Sequence, residues 1–206
     1  MRFLGALASI ALVALAAAGG SLVGEEPSGA PLYLGQPLPG REPALFAPGI
    51  VSTGLFERDV AMTPDAREIY FGLIVGETVA IASARLEGGR LGEPEIPAFA
   101  GDPRFAAFEP HIAPDGKRLL FLSTRPPAGK EPRPGWFYQN IWAVDRKPGG
   151  GWGEPYDLGA PINTDDDEFY PSVTRDGTLY FTRSKRGTLE AGLWRARRLG
   201  DRYQEP

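Results

Sequence analysis

The densest group of side chains able to do chemistry is the acidic run Asp165-Asp166-Asp167-Glu168. Carboxylate oxygens are the ligands that Ca²⁺ prefers, so Asp165, Asp166 and Asp167 are candidate calcium ligands. The run lacks the alternating acidic spacing of a calcium-binding loop, and Glu168 has a counterpart, Glu57, in a similar sequence context. A solvated loop without a metal or other cofactor therefore explains the run better than a calcium site.

The chain has one histidine, His111, which could act as a general base. Histidine-based nucleophilic catalysis needs a partner nucleophile, and the sequence has no cysteine and no G-x-S-x-G motif. His111 also lies on a predicted strand, where Ala61 and Ser172 take its place in two similar segments. The sequence therefore predicts a structural role for His111 and no enzymatic activity.

Cationic and aromatic side chains are concentrated in a proline-rich stretch between residues 125 and 138. Its members are Arg125, Lys130, Arg133, Trp136, Phe137 and Tyr138. Arginine and aromatic side chains on a loop are typical anchors of protein contacts, so we predict a partner-binding loop formed by Arg125, Arg133, Trp136, Phe137 and Tyr138. Two alternatives are that the aromatic rings pack back onto their own domain, or that Trp136 and Tyr138 bind carbohydrate.

These candidates are distributed over three copies of one sequence repeat. The versions are "FERDVAMTPDAREIYFG" from Phe56, "FEPHIAPDGKRLLFLS" from Phe108 and "FYPSVTRDGTLYFTR" from Phe169. In each, a turn aspartate precedes an apolar run, and the phenylalanine of that run follows the aspartate by 6, 6 and 5 residues. Such a turn between two β-rich arms predicts a hairpin. Asp65, Asp115, Gly116, Asp176 and Gly177 are accordingly predicted to be structural turn residues.

Each phrase continues into another strand-like run and then a Glu-Pro pair. Trp142 and Trp194 correspond in these runs, with Ile81 as the expected counterpart in the first repeat. A unit of about four strands that recurs along the chain is typical of a β-propeller blade. The sequence predicts an all-β fold with three blades of antiparallel sheet, in about residues 56–94, 108–155 and 168–206.

The repeats also resemble a known family. "APDGKRLLFLSTR" and "DEFYPSVTRDGTLYFTRS" are similar to the TolB-type, WD40-like β-propeller repeat of bacterial periplasmic proteins, over residues 56–206. The resemblance implies a scaffold that binds envelope proteins without catalysing a reaction. Members of the family also precede hydrolase domains, so the alternative is the N-terminal propeller part of a prolyl-oligopeptidase-type or sialidase-like hydrolase whose catalytic part is missing.

The remainder of the chain predicts export. Residues 1–18 have one arginine, an apolar run and a small-residue tract, as in a secretory signal peptide, and residues 19–55 read as an extended leader rich in proline and glycine. Cleavage would leave a periplasmic or secreted protein with no membrane span. The net charge of −4 argues against nucleic-acid binding.

The number of repeats predicts an incomplete ring, because closed propellers have about four to eight blades. The sequence also stops at Glu205-Pro206, the pair that precedes a further repeat in the two earlier units. We therefore expect a partial propeller that can self-associate through open blade edges. Two copies completing a six-bladed ring are an alternative.

Overall fold

A computed structural model of the chain describes residues 32–206, in which all named sheets are antiparallel. The signal peptide predicted at residues 1–18 and the first part of the leader lie outside this range. A two-stranded ribbon comes first, with β1 at Leu32–Tyr33 and β2 at Gln36–Pro37. It is followed by three larger sheets, which we call blades 1, 2 and 3.

The strands of the blades follow one another in both sequence and space. Blade 1 consists of β3 (Phe56–Met62), β4 (Glu68–Val75), β5 (Thr78–Glu87) and β6 (Arg90–Leu91). Blade 2 consists of β7 (Ala107–Ile112), β8 (Arg118–Ser123), β9 (Asn140–Asp145) and β10 (Tyr156–Asp157). Blade 3 consists of β11 (Asp167–Val173), β12 (Leu179–Ser184) and β13 (Ala191–Ala196), followed by a ribbon of β14 (Arg198–Leu199) and β15 (Arg202–Tyr203).

The blades pack face to face, which is how each sheet buries its second apolar surface. Between blades 1 and 2, Tyr70 and Ile81 share a core with Phe121. Between blades 2 and 3, Leu120 shares a core with Phe181. This succession of sheets confirms the predicted propeller blades, and the three blades form part of a ring.

The described part of the leader, residues 32–55, packs on the outer face of blade 1. Phe71 has the same place in blade 1 as Phe121 in blade 2, but it has no blade in front of it within residues 32–206. Ala47 and Val51 pack there instead, in one core with Phe71. The segment thus takes the position that a preceding blade would occupy.

The expected equivalence of Ile81 with Trp142 and Trp194 is wrong by one residue. Trp142 pairs with Phe121 and Trp194 with Phe181, whereas the partner of Phe71 is Ala82. Ile81 faces blade 2, on the opposite side of the sheet from Ala82, because successive side chains of a strand alternate between its faces.

Each hairpin turn has an aspartate whose side chain accepts a hydrogen bond from the turn backbone. One carboxylate oxygen accepts a hydrogen bond from the backbone N–H two residues further on, at 3.2 Å for Asp65, 2.9 Å for Asp115 and 3.1 Å for Asp176. The next residue has a left-handed backbone, with φ of 69° at Gly116 and 82° at Gly177. The turn of blade 1 has Ala66 in this conformation, at φ 55°.

Replacing Ala66 with glycine is therefore expected to raise the free energy of unfolding by about 0.5 to 1 kcal/mol, since a Cβ is disfavoured in the left-handed region. The matched change Gly116→Ala, at the same place in blade 2, should lower it by a similar amount. Urea unfolding of the two variants measures both effects. Changes of the same sign in the two turns would contradict the assignment.

Candidate functional site

The inner edge of the three blades has one irregularity repeated in each first strand. The register of β3, β7 and β11 shifts in mid-strand, and Asp59, Glu109 and Tyr170 occupy the shift with left-handed φ values of 58°, 54° and 53°. Each lies six residues before the turn aspartate of its blade. Left-handed backbone at non-glycine residues is uncommon and concentrates at functional positions.

These three positions meet across the blades. The backbone N–H of Tyr170 donates to Oε2 of Glu109 at 2.7 Å, which links blade 3 to blade 2. Arg58, next to Asp59, hydrogen-bonds the Tyr170 hydroxyl and forms a salt bridge with Asp59 at 2.8 Å. Its guanidinium also lies over the ring of Phe108, 5.2 Å from the centroid. One cation thus connects residues from all three inner strands.

Glu109 is the titratable group of this cluster that burial affects most. Glu109 is only 7% exposed, and burial, together with the charge of Asp59, raises the pKa of its carboxyl from 4.5 to about 7. The N–H of Tyr170 and the charge of Arg58 oppose the increase. The charge of this cluster therefore changes near neutral pH.

His111, two residues after Glu109, makes a second link from blade 2 to blade 3. Its Nε2 accepts a hydrogen bond from the backbone N–H of Val173 at 2.8 Å, and burial lowers its pKa. Accepting that bond requires the neutral imidazole. The structure places His111 opposite Leu120, as Ala61 lies opposite Tyr70, in agreement with the predicted strand position.

Arginines face the acidic run. Arg186 forms a salt bridge with Asp167 at 3.1 Å and donates to the backbone carbonyl of Asp166. Arg183 pairs with Glu168 at 2.9 Å. Two of the four carboxylates are thus engaged by cations, and the run offers a metal ion less negative charge than its sequence suggests. Within residues 32–206, no group of three or more histidine, aspartate or glutamate side chains is arranged to hold a metal ion.

The loop between β8 and β9, residues 124–139, is where the predicted partner-binding residues lie. Trp136 is 46% exposed and Phe137 is 42% exposed. The guanidiniums of Arg133 and Arg186 lie over the Phe137 ring, 5.2 and 4.9 Å from its centroid. The structure thus brings Arg133, Trp136 and Phe137 together on one exposed loop segment.

The other two residues of the predicted site hold the loop to the blade. Tyr138 is buried, and its hydroxyl donates to the backbone carbonyl of Glu131 at 3.0 Å. Arg125 is half-buried and donates to the carbonyl of Phe99 at 2.6 Å. Tyr138 is accordingly inaccessible as a carbohydrate-stacking ring, unlike Trp136.

Sequence reasoning missed the inner cluster of Arg58, Asp59, Glu109 and Tyr170. Asp59, Glu109 and Tyr170 share one place in the repeats, six residues before the turn aspartate. The three left-handed residues are an aspartate, a glutamate and a tyrosine, so no shared residue type marks the position. The signal is the spacing alone.

Comparison with known proteins gives a fold likeness only. No family model and no curated protein matches the chain. Among solved structures, it is similar to the putative TolB of Agrobacterium tumefaciens, with 14% identity, a TM-score of 0.49 and coverage of 71% of this chain and 46% of that one. For TolB of Acinetobacter baumannii the identity is 17% and the TM-score 0.44, with coverage of 69% of this chain and 29% of that one. For a puromycin hydrolase the identity is 14% and the TM-score 0.37, with coverage of 73% of this chain and 28% of that one.

The chain spans less than half the length of each of these proteins. Identities this low extend no activity, substrate or partner from them to this chain. The class of protein defined by the blades themselves is the β-propeller. In the part of the chain that the structure describes, no helix is long and apolar enough to cross a membrane.

Proposed function

We propose that the chain is an exported β-propeller segment that acts as a non-enzymatic scaffold for protein binding in the bacterial envelope. Export is supported by the signal-like residues 1–18, and the envelope by the resemblance of the repeats to periplasmic propellers. The observation that carries the binding role is the exposed pair Trp136 and Phe137 on the loop of blade 2.

This pair has the properties of a protein-binding anchor. Large aromatic side chains supply much buried area for little lost side-chain freedom, and arginine beside them adds hydrogen bonds and cation–π contacts. Phe137 is already held in an edge-on contact with Tyr138, at 5.0 Å between ring centroids, and lies under Arg133. A loop held in this way loses less conformational freedom on binding than a mobile one.

A photo-crosslinking amino acid at position 136 tests the binding role in cells that export the protein. The matched control is position 75, since Val75 is exposed at the tip of the β4–β5 hairpin, the counterpart of this loop in blade 1. We expect a discrete cross-linked protein from position 136 and none from position 75. Equal labelling, or none, from both positions would contradict the proposal.

Alanine at both Trp136 and Phe137 is expected to reduce capture of that cross-linked protein at least about tenfold, because aromatic hot spots contribute about 2 kcal/mol or more each. The free energy of unfolding should fall by less than about 1 kcal/mol, since both rings are partly exposed. Pull-down and urea unfolding of the same variant measure the two effects. Undiminished capture would exclude the loop as the binding surface.

A further inference from the structure

A second polar site lies between blades 1 and 2, beneath the start of the same loop. Trp142 is 7% exposed, and its indole Nε1–H is fully buried without a hydrogen-bond partner among the described residues. The guanidinium carbon of Arg125 lies 6.0 Å from the centroid of that indole. A buried donor without an acceptor is costly, and it marks the place where an acceptor can bind.

The charge of Arg125 is also left without an ionic partner. Its guanidinium donates to the carbonyl of Phe99 and to Oγ of Ser123, at 2.6 and 3.2 Å, and both acceptors are neutral. The salt bridges among residues 32–206 do not include Arg125. Burial lowers the pKa of Arg125, so its cationic form is poorly compensated.

Asp102 is the carboxylate whose charge acts on Arg125, but another arginine already holds it. Arg104 donates to both carboxylate oxygens of Asp102, at 3.0 and 2.7 Å. Two guanidiniums and one carboxylate leave this site with a net positive charge. Buried charges are normally paired, and a bidentate arginine is suited to a planar oxyanion.

We propose that Arg125 and the indole N–H of Trp142 form a binding site for a carboxylate group. Arg125 supplies a cationic donor and Trp142 a neutral one, and the two oxygens of a carboxylate accept from both kinds of donor. Asn140, two residues before Trp142 on the same face of β9, has an unpartnered side-chain oxygen.

A free metabolite and an acidic residue of a partner protein both present a carboxylate, so this site does not require the proposed function. The four tryptophans allow a direct test, because each gives one indole N–H signal in a ¹⁵N-correlated NMR spectrum. The Trp152 indole N–H, which donates to the Tyr70 hydroxyl at 2.7 Å, is the internal control. Trp142→Phe assigns the signal of interest.

Titration with sodium acetate, at constant ionic strength set with sodium chloride, is expected to move the Trp142 signal saturably and leave that of Trp152 in place. Arg125→Gln should raise the acetate concentration at half saturation about tenfold or more, because a charged hydrogen bond is lost. Lys130→Gln is the matched control, since it removes a cation of the same loop without removing a donor of the site or releasing Asp102 from Arg104, and Arg125→Lys should restore part of the affinity.

Several outcomes would overturn the site. They are a Trp142 signal that does not saturate, an equal shift of all four indoles, an undiminished response in Arg125→Gln, and a response to inorganic phosphate but not to acetate. A short peptide containing one glutamate next to leucine separates the two sources of carboxylate. Tighter binding of the peptide than of acetate indicates a protein partner, and equal binding indicates a small molecule; both support the carboxylate site.

Discussion

Replacing Glu109 with glutamine is expected to stabilise the protein at pH 8 by about 2 to 3 kcal/mol, with little effect at pH 4.5. The physical reason is the burial of an ionisable group whose compensation is incomplete. One N–H, from Tyr170, donates to the Glu109 carboxylate, while the charges of Asp59 and Arg58 act on it in opposite directions. Glutamine keeps an oxygen that accepts from that N–H and cannot acquire the charge.

The sign follows from proton binding in the two states. The pKa of Glu109 is about 7 in the native state and 4.5 in the unfolded chain, so the native state holds more protons between these values. The free energy of unfolding due to Glu109 therefore decreases as pH rises from 4.5 to 7, and is constant above. The difference between variant and wild type should grow over that interval and then level off.

Urea unfolding at pH 4.5, 6, 7 and 8 measures this difference. His111 contributes with the opposite sign, because burial lowers its pKa and the native state binds fewer protons just below pH 6.5. His111→Gln is therefore the informative control, and its stability relative to wild type should increase on acidification. Parallel pH curves for wild type and Glu109→Gln would show that Glu109 ionises as it does in water.

The blades could be predicted from the sequence because their determinants are local. A turn aspartate, followed by glycine in the second and third repeats, and an apolar run ending in phenylalanine recur along the chain. These residues favour a hairpin whatever surrounds it, and in the structure the carboxylates of Asp65, Asp115 and Asp176 each accept a hydrogen bond from the backbone N–H two residues further on. The register of the third strands was less certain, because hairpin lengths differ, and the counterpart of Trp142 was displaced by one residue.

The inner cluster and the packing of the leader depend on long-range contacts instead. Arg58 reaches Tyr170 across 112 residues of sequence, and no local pattern specifies that meeting. The leader has the composition of a linker, yet Ala47 and Val51 bury themselves against Phe71 because blade 1 offers them an uncovered apolar face. Burial also divided the predicted loop site, since Tyr138 and Arg125 turn toward the blade and Trp136 does not.

Replacing Glu168 with alanine is expected to destabilise the protein by about 3 to 5 kcal/mol, the usual cost of breaking a buried ion pair. Glu168 is fully buried, and its carboxylate accepts from Arg183 at 2.9 Å and from the hydroxyl and N–H of Thr164 at 2.6 and 3.1 Å. Its removal leaves the largely buried guanidinium of Arg183 without a countercharge, and the two donors of Thr164 without an acceptor. Burial raises the pKa of Glu168 despite these contacts, so the pair is held at a desolvation cost.

Blade 1 supplies the matched control. Glu57 occupies the same place in β3, and its carboxylate accepts from the N–H of Thr53 at 3.0 Å and from the Thr53 hydroxyl, but no arginine pairs with it in the described part of the chain. Leu73 lies opposite Glu57, where Arg183 lies opposite Glu168. Glu57→Ala should therefore cost only about 1 to 2 kcal/mol, the value of two lost neutral-donor hydrogen bonds near the surface.

The comparison separates a structural role of the acidic run from a metal-binding one. If Arg183 is the true partner of Glu168, Glu168→Ala should lower the urea midpoint equally with and without added Ca²⁺, and the double variant Glu168→Ala with Arg183→Leu should recover part of the loss. Recovery is expected because removing both partners leaves no unpaired charge in the interior. Equal losses at Glu57 and Glu168 would show that the Arg183–Glu168 pair does not stabilise the fold. A loss that appears only in the presence of Ca²⁺ would show that Glu168 has a metal-binding role instead of a structural one.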